Sequence, residues 1–274
     1  MAGEARLRSV LLIDKPKGPT SFWVSANVSS LFGGCKTGHS GTLDPNATGL
    51  MLVALGEAVK AMPVLMGLDK EYEGVMMLHA AVPEDELRKA MESFLGDIIQ
   101  TPPVRSRVAR RPRKRTVHDI EILGTAGRVV RFRVLCEAGT YIRKIAHDAG
   151  QALGTGAHLA DLRRTRIGPF RLEDAVTLEQ LNAMDSEGKA RHLMPLEKAL
   201  ADIGLPQVVI RDEAEPAIRN GSPVRKEFVR KMPGKREEGY YAGIFNGSGS
   251  LVCLATFVKA KGVIAKTERV FLEG

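Results

Sequence analysis

One carboxylate in this chain stands in a setting suited to chemistry: Asp44, within the stretch GHSGTLDPNATG at residues 38–49. Pro45 drives Asp44 toward extended dihedrals that do not fit a helix, while Gly38, Gly41 and Gly49 permit sharp turns and close approach of a second backbone. Asp44 is therefore expected on a shaped loop, with no metal-ligand pattern around it. A lone carboxylate so placed can act as a nucleophile or move a proton. An isolated Asp-Pro commonly only starts a turn, but the surrounding dozen residues argue for more.

The elements that must hold this loop follow from periodicity and punctuation. Residues 11–14 read as a strand leading into a turn at 15–19, and Thr20 or Ser21 starts a helix that Gly33 stops. After the Asp44 loop, 50–55 is a short buried strand, 57–66 is helical despite Pro63, and 71–79 is a strand. Pro83 begins an amphipathic helix to Phe94, residues 117–123 and 128–137 form a hairpin-like pair, and 140–153 is a helix ended by Gly154. Beyond Leu200 the pattern changes to short strands at 205–211, 239–245 and 251–258, with a helix near 213–220. The expected class is α+β with mostly antiparallel sheet. The expected division is a domain over 1–203 and a small β-rich domain over 204–274.

With 274 residues, 44% of them hydrophobic, the chain can bury a substantial core. No apolar run approaches a membrane span, and the N-terminus lacks a signal-peptide pattern, so a cytoplasmic location is expected. Cys35, Cys136 and Cys253 are widely spaced and odd in number, which favours reduced, structural thiols. A net charge of +8 favours a polyanionic partner. Residues 105–115 carry seven basic side chains in eleven, Arg163, Arg164 and Arg166 form a second cluster, and 225–236 a third. All three suit phosphate contacts, and their separation tilts toward nucleic acid.

Six segments in order, IDKPKGPTS, GHSGTLDPNATG, KEYEG, PPVRSRVARR, AGTYIRK and LRRTRIGPF, resemble the motifs of the TruB-type pseudouridine synthases, specifically the archaeal and eukaryotic dyskerin-like branch of box H/ACA particles. The C-terminal part resembles a PUA domain, an RNA-binding module. This resemblance implies Asp44 as the catalytic residue, Arg143 as its cation, and Tyr141 packing under the site. It also implies Tyr72 stacking on the target uracil, as flipped bases are held by aromatic faces. His39 is implied to bind substrate RNA, Lys15 to shape the pocket and contact RNA, and Leu162 and Arg163 to lie beside the site. Turning uridine into pseudouridine breaks one glycosidic bond and makes another with no redox change, so no cofactor and no metal are implied.

The implied partners are a box H/ACA guide RNA, an rRNA or tRNA substrate and small protein subunits of the H/ACA particle. The compact, arginine-rich interval between Tyr72 and Tyr141 favours the guided form over a stand-alone tRNA enzyme. A third alternative is a non-catalytic RNA-binding scaffold, which would need none of Asp44, Tyr72, Tyr141 and Arg143. The chain also departs from the family: Phe22 and Trp23, followed by the neutral SANVSSLF, stand where a histidine and basic residues are usual. That departure implies weaker RNA contacts from this helix.

Overall fold

A computed structural model describes residues 7–101, 111–234 and 236–272. Most of the basic run at 105–115, and nearly all of PPVRSRVARR, lie outside the described residues. The N-terminal two-thirds is built from β1 (Arg8–Lys15), α1 (Ser21–Leu31), β2 (Thr37–His39), β3 (Thr48–Gly56), α2 (Met62–Met66), β4 (Lys70–Leu78), α3 (Glu84–Glu92), β5 (Gly96–Gln100), β6 (Arg113–Ala126), β7 (Val129–Cys136), α4 (Ile142–Ala152) and β8 (Ala157–Ile167). These strands make one sheet in the order β1-β3-β8-β4-β7-β6-β5. Its pairs along that path are antiparallel except β3 with β8, which run parallel.

The near-continuous apolar runs of β1 and β3 follow from burial on both faces, the circumstance in which a strand loses its polar alternation. Val10 and Leu12 face one core with Leu50 and Leu52, while Leu11 and Ile13 face another with Met51, Val53 and α1 residues Val24 and Val28. A third core lies under β4, β6 and β7, where α3 and α4 contribute Leu87, Met91, Ile142 and Ile145. Tyr72 and Leu162 touch both this core and the α1 core, so they line the seam between them.

Pro63 does not interrupt a long helix. A short 3₁₀ turn over Glu57–Ala61 hands over to α2, and Pro63 sits in its first turn, where a missing N–H costs nothing. Tyr141 precedes α4 as its extended N-cap rather than lying inside it.

A second sheet of six strands follows, ordered Val224–Arg225, Val263–Val270, Leu251–Ala260, Tyr241–Phe245, Gln207–Ile210 and Val229–Lys231. Val263–Val270 was not expected as a strand. Its sequence VIAKTERV is half polar without alternation, and pairing with the apolar Leu251–Ala260 is what holds it. This sheet has its own core around Ile218, Ile244 and Val252. It also shares one with the first sheet, through Phe245, Leu251, Leu254 and Phe271 against Val10 and Leu12.

Candidate active site

Asp44 sits on the loop between β2 and β3, and the loop is gripped from three directions. Ser21, buried in the first turn of α1, accepts from the Leu43 amide at 2.8 Å and donates to the Leu43 carbonyl at 3.0 Å. Thr20 caps that helix by accepting from the Trp23 amide at 3.1 Å, which fixes where Ser21 emerges. Lys15, wholly buried at the end of β1, donates to the carbonyls of Pro16 (2.9 Å), Pro45 (3.3 Å) and Ala47 (2.7 Å). Arg164, also buried, donates to the carbonyls of Leu50 (2.7 Å) and Gly41 (3.1 Å). Gly49 is required here: its φ is +103°, and a Cβ would lie 2.3 Å from the Arg164 carbonyl oxygen.

The partner for Asp44 comes from 99 residues away. Arg143, exposed in the first turn of α4, pairs its guanidinium with the Asp44 carboxylate. Buried Gln100, at the end of β5, positions that turn by accepting from the Tyr141 amide at 2.8 Å and donating to the Tyr141 carbonyl at 3.2 Å.

Tyr72 lies beneath the loop with the Arg164 guanidinium 6.0 Å from its ring centroid. Along the paired strands Tyr72 opposes Arg164 and Gly74 opposes Leu162, so all four share one face of the sheet. Gly74 leaves room for the Phe132 ring, which a Cβ would meet at 2.6 Å. Burial pushes the Tyr72 phenol up, although Arg164 draws it down. Burial, reinforced by Arg164, pulls the half-buried His39 imidazole down, which favours its neutral form. The same two causes lower Lys15. Lys70, nearly buried, donates to the carbonyls of Met66 (2.7 Å) and Leu68 (2.5 Å), and desolvation with the Arg164 charge brings it down to about 8.

The structure thus brings Asp44, Arg143, Tyr72, His39, Leu162 and Lys15 around one loop, and it corrects two expectations. The Lys15 ammonium is occupied by three backbone carbonyls with no surface exposed, so it holds the loop and has no access to RNA. Arg163, Arg164 and Arg166 do not form an open phosphate cluster. Alternation along β8 turns Arg164 inward, Arg163 bonds Asp14 at 2.7 Å and Thr48 at 3.3 Å, and Arg166 lies 3.6 Å from Glu71. Ser21, Lys70, Gln100 and the buried role of Arg164 were not anticipated. The direction of Arg164 depends on its register with β4, where a bulge separates it from Arg166, and the Gln100 contact depends on a pairing 41 residues apart, so neither leaves a local signal.

The chain is similar to known proteins along nearly its whole length. Residues 29–142 match the model of the TruB family pseudouridylate synthase N-terminal domain, and residues 143–201 match that of the tRNA pseudouridylate synthase B C-terminal domain. The chain is 41% identical to the probable tRNA pseudouridine synthase B of Methanopyrus kandleri, covering 97% of this chain and 83% of that one, and 38% identical to the protein so named in Nanoarchaeum equitans, covering 97% and 80%. Among solved structures it is similar to a chain of a Cbf5-Nop10-Gar1 complex, with 39% identity, 96% of this chain and 85% of that one covered, and a TM-score of 0.87. A chain of an H/ACA RNP bound to a substrate RNA containing 2'-deoxyuridine gives 36% identity, 96% and 85% coverage, and a TM-score of 0.82. A carboxylate loop clamped beneath and met by an arginine, on a chain related to these proteins along nearly its whole length, places it plainly: this chain belongs to the TruB family of pseudouridine synthases, isomerases that act on RNA.

Proposed function

We propose that the chain converts uridine to pseudouridine through Asp44 and that a box H/ACA-type guide RNA, with small protein subunits, presents the target. The observation that carries the catalytic assignment is the Arg143 to Asp44 pair. It sets a cation on the Asp44 carboxylate, on a loop whose Leu43 and Ala47 share a core with Tyr72. In the reaction the N1–C1′ bond breaks and a C5–C1′ bond forms. The proton leaves C5 and one is gained at N1, so atoms and charge balance without an external donor. Asp44 supplies the attacking or proton-accepting oxygen, and Arg143 stabilises its charge until the base arrives. Tyr72, whose phenol burial keeps protonated, offers an aromatic face for the uracil. Neutral His39 can hydrogen-bond or stack with RNA, and Leu162 closes the apolar side of the seam.

The guided reading is supported by the likeness to a Cbf5 chain over 96% of this one. Residues 204–274 are proposed as a PUA domain that holds RNA, through the exposed Arg225, Lys226, Arg230, Lys231 and Arg236. The names of the archaeal relatives favour a second reading, direct action on tRNA. The two separate in one assay: purified protein is given a tRNA transcript alone, then a matched guide and target with partner subunits, and pseudouridine is read by base-specific modification. Product only with the guide supports the first reading; full turnover on tRNA alone replaces it with the second. Asp44→Asn should lower turnover by at least about 10³-fold while RNA binding persists. Near-native turnover in that variant would remove Asp44 from the reaction.

A further inference from the structure

Helix α1 turns two aromatic rings into solvent beside the Asp44 loop. Phe22 is 77% exposed and Trp23 is 50% exposed. The inward face of α1 is Ser21, Val24, Ser25 and Val28, so neither ring belongs to the core beneath it. The helix is joined to the site by the two hydrogen bonds between Ser21 and Leu43. Ser21 thus fastens the start of α1 to the residue before Asp44, and Phe22 and Trp23 follow it on the outward side of that same turn.

The chemistry of this turn is uniform. Between Asp14 and Asp44 the sequence contains no Asp or Glu, while Lys17 and the N-terminal dipole of α1 contribute positive potential there. Two exposed π faces on a helix that itself carries no carboxylate match how proteins hold unpaired nucleotides, by stacking bases on aromatic rings while cations follow the backbone. A protein partner fits less well, because the fully buried centre of an interface is more apolar than its rim and the two rings have no exposed apolar neighbours of size on this helix. On α1 the outward residues beyond Trp23 are Ala26, Asn27 and Ser30.

We propose that Phe22 and Trp23 form a stacking platform for unpaired nucleotides flanking the target uridine. The inference rests on the reading that RNA delivers a uridine to Asp44, and it reverses the weaker RNA contact implied by the sequence of this helix. Trp23 is the only tryptophan of the chain, so its emission reports on the platform directly.

In the full-length chain carrying Asp44→Asn, a tRNA transcript is titrated while Trp23 emission and the anisotropy of the labelled RNA are followed together. Emission should be quenched in step with the bound fraction. Adding Phe22→Ala and Trp23→Ala should weaken RNA binding about tenfold with an unchanged melting midpoint. RNA bound with Trp23 emission unaltered overturns the platform, as does an emission change that occurs only when protein subunits are added. The same pair of substitutions in the chain with native Asp44 separates this inference from the functional reading. Unchanged KM with normal product sinks the platform and leaves the enzyme standing. Quenching and weakened binding in a chain that makes no pseudouridine keep the platform and sink the catalytic reading.

Discussion

The segments that supply Asp44 and Arg143 meet at one ion pair but are held by different physics. The Asp44 loop rests on two wholly buried cations, Lys15 and Arg164, which satisfy backbone carbonyls at both ends of the loop. The Arg143 turn rests on one neutral side chain, Gln100, and on the start of a helix. Buried charge is costly unless its hydrogen bonds are made, so the first arrangement is rigid by necessity. The second leaves a long, half-exposed arginine free to change rotamer. The carboxylate is the fixed point of the site, and the cation is the part that can yield when a base enters.

The sharpest way to break this contrast is Arg164→Met, which leaves the Leu50 and Gly41 carbonyls without their donor. It should cost about 2–5 kcal/mol of stability, measured by urea unfolding, and abolish most turnover. A loss below about 1 kcal/mol would mean the loop does not depend on its buried cation. Lys70 tests the same buried field through pH. Its folded pKa is about 8 against 10.5 for the free side chain, so between those values the unfolded chain binds the extra proton and stability rises with pH. The gain should approach about 3 kcal/mol between pH 7.5 and 10.5. Cys136 and Cys253, both pushed up to about 12 by burial, and to a lesser extent Cys35 and Tyr72, oppose it over the same range, because their raised values disfavour ionisation in the folded chain. The comparison is therefore made with Lys70→Met, in which the rising contribution should vanish. An identical pH profile in that variant would remove Lys70 from the effect.

Arg143→Ala addresses the movable partner. Turnover should fall about 10²-fold, as the reacting carboxylate loses the cation that stabilises its charge. Unfolding free energy should stay within about 0.5 kcal/mol, because an exposed pair contributes little. A large stability loss would show that the cation is structural too, and the contrast between the two segments would collapse.

The sequence made the carboxylate legible through local constraints: Asp-Pro and the flanking glycines restrict backbone dihedrals within a dozen residues. Helix α1 was legible for the same reason, with Thr20 as its cap and Gly33 after its end. The resemblance of six motifs pointed to Tyr72 and Arg143, which no local pattern singles out. What stayed hidden was long-range. Arg164 reads as one more arginine in a basic run until pairing with Tyr72 shows which way it faces. Gln100 falls in a stretch where no element is expected, and Val263–Val270 lies beyond the last expected strand, because each gains its role only from a distant partner.

The smallest test compares the two clamps directly, since Ser21 and Gln100 each grip both the amide and the carbonyl of one residue. Ser21→Ala and Gln100→Leu should each cost about 1–2 kcal/mol of stability from the lost bonds. Their kinetic consequences should differ. Leu43 is still flanked by a loop pinned on Lys15 and Arg164, so Ser21→Ala should lower kcat only a few-fold. Among the described residues Tyr141 has no second side-chain clamp on its peptide, so Gln100→Leu should misplace Arg143 and lower kcat by about tenfold at unchanged RNA affinity. Equal kcat losses in the two variants would mean that the buried cations add no rigidity beyond what one polar clamp provides, and the asymmetry between the anion and its partner would not hold.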